Sequence, residues 1–139
     1  MADAYDTVQI RHKSGGISVL KFKSYEQGRK KFQSETLDFI WFDEEPPADI
    51  YSEGLTRIAA TGGMVYCTFT PLLGRSTIVI KYMDEQGADR KMVNMTDEEV
   101  GHISAEQRAR NRAGWLAHEV EARSKGIPLM GSGRVYAFT

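Results

Sequence analysis

Apolar and polar residues alternate at the start of residues 8–13, which then turn polar, and again, less strictly, over 17–23, with Ser14-Gly15-Gly16 between the two stretches. Alternation on either side of a glycine pair predicts an antiparallel β-hairpin. Residues 25–33 predict a short helix opening at Ser24, whose spacing to Gln27 matches a capping box, although Gly28 inside it disfavours helix. The pattern then changes. Residues 37–42 form a nearly continuous apolar run that stops at Asp43-Glu44-Glu45 and Pro46-Pro47. Such a run predicts a strand covered on both faces, as in a parallel sheet. Tyr51, Leu55, Ile58 and Ala59 recur at helical spacing over 48–60, and Thr61-Gly62-Gly63 ends that helix. A second apolar run, 64–67, leads into Thr68-Phe69-Thr70-Pro71. Strand, acidic loop, helix, glycine stop and strand make a βαβ unit with parallel strands and a right-handed crossover. Further on, 75–84 predicts a helix, although its β-branched residues also allow a strand; 91–95 predicts a short strand, and 104–125 one or two helices broken near Gly114-Trp115.

With 139 residues, 41% apolar and 27% charged, the chain has the composition of a globular domain rather than a disordered segment. The formal net charge of −1 provides no global field toward nucleic acid or membrane. The one cysteine, Cys67, rules out an internal disulfide framework or a cysteine-rich zinc site and suits a reducing compartment. His12, His102 and His118 lack metal-ligand spacing. Locally, Lys21, Lys23, Arg29, Lys30 and Lys31 gather five positive charges in 11 residues around Phe22 and Tyr25. They are candidate contacts to a DNA backbone, although a solvated basic face fits the same pattern better.

The chemistry points to the end of the first apolar run. Phe39-Ile40-Trp41-Phe42 runs straight into Asp43-Glu44, the pattern of a Walker B segment. A nucleotide's Mg²⁺ needs oxygen ligands on a rigid support, often reached through water. Asp43 at a strand tip can provide one. Attack of water on a terminal phosphate needs a positioned acceptor beside the metal, and Glu44 is placed for that. Acidic residues that merely precede a helix and face its dipole give the same local pattern. Thr68 and Thr70 end the second run. Ligands of parallel sheets bind beyond the carboxyl ends of the strands, so a βαβ unit brings these hydroxyls to the acidic edge.

Four segments together carry a resemblance: Tyr25-Glu26-Gln27-Gly28-Arg29; residues 35–46 around Trp41-Phe42-Asp43-Glu44-Glu45-Pro46; residues 51–57; and Thr68-Phe69-Thr70-Pro71-Leu72-Leu73-Gly74. In this order they resemble the large terminase subunit of tailed bacteriophages, and residues 122–136 resemble the stretch where its ATPase region passes toward a nuclease. The resemblance implies a P-loop NTPase-type parallel sheet flanked by helices, here partial, with an N-terminal β-hairpin and a helical C-terminal part. It implies ATP and Mg²⁺ as ligands of the parent protein. Double-stranded DNA, a small terminase subunit and the portal would be its partners, and the cytoplasm of a bacterial host its location. Asp43 corresponds to the Walker B aspartate, Glu44 to the catalytic glutamate, and Thr68-Phe69-Thr70 to the motif coupling hydrolysis to movement.

No Gly-x-x-x-x-Gly-Lys-Ser/Thr segment occurs in the chain, and the acidic cluster of a nuclease is also missing. The expected organisation is therefore the C-terminal portion of an ATPase domain over 1–130, with 131–139 opening a linker. Such a fragment is expected to lack ATPase activity of its own, to bind neither ATP nor Mg²⁺ alone, and to self-associate through an uncovered sheet edge or be only marginally stable. Two other readings use the same residues: a small metal-dependent hydrolase built on Asp43, Glu44 and Glu45, or a non-catalytic protein that joins the packaging motor. Phe39, Trp41 and Tyr66 are expected in the core, and Arg57 in a salt bridge.

Overall fold

A computed structural model describes residues 6–85 and 87–129; the expected linker over 131–139 lies outside them. The architecture is α/β, with two two-stranded sheets and four α-helices among the described residues. These residues divide into two compact units. One contains the chain up to Ile40 together with Asp49–Val65, and the other Trp41–Ala48 together with the chain from Tyr66.

In the first unit the hairpin forms as its alternation predicts. Strands β1 (Thr7–Arg11) and β2 (Ile17–Lys21) pair antiparallel, from Thr7 opposite Lys21 to Arg11 opposite Ile17. The loop closes through His12 N–H donating to the Gly16 carbonyl (3.1 Å) and Gly15 N–H donating to the His12 carbonyl (3.0 Å). Gly15 sits at φ +86°, a left-handed conformation that glycine adopts without steric cost. Every residue of both strands is exposed. The predicted helix over 25–33 does not form. Two 3₁₀ turns, Tyr25–Gln27 and Arg29–Phe32, flank Gly28, whose φ of +70° leaves the helical region. Ser24 caps the first turn by accepting from Glu26 N–H rather than completing a box with Gln27.

Helix α1 (Ala48–Ile58) buries Ile50, Tyr51, Gly54 and Ile58, while Leu55 and Ala59, expected on the buried face, are exposed. Glu53 is also buried. It is held by Arg29 Nε at 2.8 Å and by Arg57 Nε at 3.0 Å, four residues along the helix. Arg57 is thus in the expected salt bridge, and its Nη1 also donates to the Gln33 carbonyl at 2.8 Å. At the helix end, Leu37 N–H donates to the Arg57 carbonyl and Thr61 Oγ1 to the Leu37 carbonyl. The chain entering the next strand is fixed to the end of α1 by these bonds. Thr61 N–H and Gly63 N–H return to the Ile58 carbonyl, and Gly62 takes φ +64°, so the predicted glycine stop is observed.

Strands β3 (Phe39–Asp43) and β4 (Met64–Thr68) form the second sheet, and α1 lies between them in sequence. Met64 N–H bonds to the Asp38 carbonyl at the start of the pair, and Glu44 N–H to the Thr68 carbonyl at its end. Like ends therefore meet, and the strands are parallel. Ile40 and Phe42 are buried, but Phe39 is 49% exposed, Trp41 59% and Tyr66 53%. Coverage on both faces and the core placement of these three aromatics are overturned. Strict alternation in exposure along β3 shows only one face covered. The pair is also shorter by two residues at its start than the apolar run beginning at Leu37.

In the second unit, α2 (Thr77–Met83) starts at Ser76, whose hydroxyl accepts from Val79 N–H at 3.2 Å. Residues 91–95, expected as a short strand, have no regular structure. Asn94 instead bonds the Lys125 carbonyl through its side-chain amide at 2.6 Å. Helix α3 (Ala105–Gly114) and α4 (Val120–Lys125) flank the predicted break, with Trp115 ending α3 and Gly126 at φ +64° closing α4. Arg112 of α3 makes a two-toothed contact with Asp97 through Nε (2.8 Å) and Nη2 (2.5 Å).

Candidate functional site

The carboxyl ends of β3 and β4 place Asp43 and Thr68 side by side. Positions 41 and 43 lie two apart on a strand and share one face. Thr68 Oγ1 accepts from the indole Nε1 of Trp41 at 2.8 Å and donates to Asp43 Oδ1 at 3.2 Å. The backbone of the same threonine fixes the next residue, because its carbonyl accepts from Glu44 N–H at 2.8 Å. Glu44 is the one non-glycine residue with positive φ (+65°) among the described residues. A side chain held in this region is unfavourable, and the ladder bond from Thr68 is one of the contacts that keep it there. Asp43 and Glu44 are both exposed, so a ligand can reach them.

Glu45 is directed elsewhere. Its Oε1 accepts a hydrogen bond from Ser76 Oγ, the hydroxyl that caps α2, and its Oε2 is buried without a hydrogen-bond partner. Pro46 is buried, and Pro47 immediately precedes α1, a position that suits proline. Among the described residues no three His, Cys, Asp or Glu side chains are grouped to hold a metal. The acid triplet of the hydrolase reading is therefore not assembled. Mg²⁺ is commonly held by one or two carboxylates, its remaining positions being filled by water and substrate phosphates. The exposed Asp43 carboxylate, oriented by a hydroxyl, fits that demand.

Phe69 and Thr70 are half-buried beyond β4, and the Thr70 carbonyl accepts from Leu72 N–H at 2.8 Å. Farther along, the Pro71 carbonyl accepts from Leu129 N–H. Cys67 lies in β4, and burial raises the pKa of its thiol, which favours the unreactive protonated form.

The basic cluster is partly committed within its own unit. Lys21 and Lys23 both face Glu35, at 2.9 and 3.5 Å, and Lys21's hydrogen bond leads in lowering the Glu35 pKa. Lys23 also donates to the Lys31 carbonyl and sits 5.4 Å from the centre of the Phe32 ring. Arg29 is engaged with Glu53. Lys30 and Lys31 carry exposed side chains.

Sequence reasoning missed Trp41, Ser76 and Glu53 as bonded participants. The two-residue step from Trp41 to Asp43 was readable as a shared face, and Ser76 ahead of an apolar helix was readable as a cap. Nothing local marks Glu53, whose partner Arg29 is 24 positions away.

An α/β chain with paired acids at the tip of a parallel strand defines a class; comparison with known proteins gives the family. The family described as terminase large subunit, T4likevirus-type, N-terminal, matches residues 2–139. A large terminase subunit of Salmonella phage P22 is 47% identical over 121 residues, covering 87% of this chain and 24% of that protein. One from Enterobacteria phage LP7 is 40% identical over 102 residues, covering 73% of this chain and 22% of that protein. The chain belongs to the phage terminase large-subunit family. It spans about a quarter of the length of these relatives. No solved structure gives a significant match.

Proposed function

We propose that this chain is the acid-bearing part of the ATPase region of a phage DNA-packaging motor. In this reading β3 and β4 belong to a P-loop NTPase-type sheet of the whole protein, which drives double-stranded DNA into a procapsid in the bacterial cytoplasm. A small terminase subunit and the portal are its proposed partners. The observation supporting the reading best is the junction of Asp43, Glu44 and Thr68 at the carboxyl ends of adjacent parallel strands.

Asp43 is the residue proposed to hold Mg²⁺ through water. The cation, when bound, neutralises phosphate charge. Glu44 is proposed to accept a hydrogen bond from the attacking water and orient it. Thr68, Phe69 and Thr70 carry the proposed coupling role, since displacement of β4 would act on both acids through Thr68. No glycine-rich Lys-Ser/Thr loop occurs in the 139 residues. In the proposal ATP phosphates are therefore held by another part of the full-length protein. Lys30 and Lys31 remain accessible for a DNA backbone.

The test uses a full-length terminase carrying this segment. Glu44→Gln should preserve ATP binding and slow hydrolysis at least about a hundredfold, within the range general bases contribute. A rate within about twofold of the parent overturns the assignment of Glu44. The 139-residue chain alone should not turn over ATP; activity that survives purification and vanishes in Glu44→Gln contradicts that expectation.

A further inference from the structure

We propose that Trp41 is a positioning residue for Asp43, acting through the Thr68 hydroxyl. The inference rests on the reading of Asp43 as the cation-holding acid. An indole N–H only donates, and an ionised carboxylate only accepts. Thr68 Oγ1, 2.8 Å from the one and 3.2 Å from the other, must therefore accept from Trp41 and donate to Asp43. The direction of both bonds follows from the groups themselves. A threonine hydroxyl has one hydrogen and is otherwise free to rotate. The indole occupies one of its lone pairs and so favours the rotamer that directs the hydrogen at Oδ1. Trp41 and Asp43 project from the same face of one strand, while Thr68 comes from its neighbour, so the bridge also links the two strand ends.

Exposure gives the arrangement a further meaning. Trp41 is 59% exposed, so its side chain contributes little as buried apolar mass at this position. The polar edge of the ring makes the specific contact. Residues that orient a metal-binding side chain commonly change metal affinity or activity by about 10- to 100-fold when removed.

The experiment uses the full chain, isotopically labelled, with its two tryptophans providing two indole N–H resonances. Thr68→Val and Asp43→Ala should each move the Trp41 resonance by several linewidths and leave that of Trp115 in place. Thr68→Val removes the indole's acceptor directly, and Asp43→Ala removes the acceptor of the threonine's own hydrogen. Mn²⁺ together with ATP is then titrated by water-proton relaxation into a full-length terminase carrying this segment, and the ATP-dependent Mn²⁺ binding is read. Trp41→Phe, which keeps an aromatic ring, should weaken Mn²⁺ binding roughly tenfold. Thr68→Ser should retain parental binding. Trp41→Phe should add nothing further in a Thr68→Val background. A Trp41 resonance indifferent to both substitutions overturns the bridge, whatever the metal does. Mn²⁺ binding that requires Asp43 but ignores Trp41→Phe overturns the positioning role. Mn²⁺ binding that survives Asp43→Ala overturns the cation assignment itself and the role built on it.

Discussion

Glu44 joins a strained backbone to the chemistry proposed for its side chain. Its φ of +65° costs on the order of 1 kcal/mol for an L-residue, while glycine adopts it freely. Glu44→Gly should therefore stabilise the fold by about 1 kcal/mol in chemical denaturation while eliminating the proposed water acceptor. A loss of stability would show that the Glu44 side chain has a structural duty that outweighs the strain. Charge gives a second residue-level expectation. Arg29 hydrogen-bonding lowers the pKa of Glu53, and Arg112 does the same for Asp97. Both carboxylates bind protons less readily in the folded chain than in the unfolded one. Their stabilisation is complete above the ordinary carboxylate range and is lost as pH falls through the depressed values. Urea midpoints should thus be level from about pH 7 to 5 and fall below about pH 4. Combined Glu53→Gln and Asp97→Asn should flatten that acid limb, and an unchanged limb would place the acid sensitivity elsewhere.

At the scale of elements, what was legible was what neighbouring residues determine. The hairpin was read from alternation about Gly15-Gly16, the parallel pair from two apolar runs separated by a helix, and the break near Trp115 from its glycine. Two errors arose where one glycine or one missing cover decided the outcome. Gly28 at positive φ divided a predicted helix into two 3₁₀ turns. The run over 37–42 reads as buried on both faces, yet Phe39 and Trp41 are exposed because no described element covers that face. The meeting of Asp43, Glu44 and Thr68 at the strand ends was legible as a candidate site. The indole bridge and the Arg29–Glu53 pair were not, since both depend on long-range contacts. The turn between α1 and β4 gives the element-level prediction. A Cβ on Gly63 would come closer than 3.0 Å to the Asp38 carbonyl oxygen, beside the first hydrogen bond of the parallel pair. Gly63→Ala should cost about 1–3 kcal/mol by forcing those strands apart. Equal melting temperatures would show that the turn can relax without disturbing the pair.

For the whole molecule, the question is how a chain matching about a quarter of its relatives manages its unpaired sheet. Two strands alone are marginal in water; independent stability normally needs a third strand or a well-packed face. Here β3 and β4 have no further strand among the described residues, and β1 and β2 form a hairpin without a buried residue. Each pair therefore presents outer edges with backbone donors and acceptors available for pairing. Apolar side chains accompany those edges: Ile10, Ile17 and Val19 on the hairpin, and Trp41 and Tyr66 on the parallel pair, are all exposed. Edge hydrogen bonding and apolar burial favour the same outcome in solution. We expect the free chain to self-associate through an uncovered edge or to unfold with low cooperativity, although its composition is that of an ordinary globular domain. Size-exclusion chromatography with light scattering should show mass rising with concentration, and a dye that brightens on apolar surface should bind at temperatures below the melt. Lysine substitution at Val19, on an exposed strand face, should reduce association if the hairpin edge is used and leave it unchanged if the β3–β4 edge is used. A monomer that ignores the dye and melts in one sharp transition would show that these strands suffice for a closed domain.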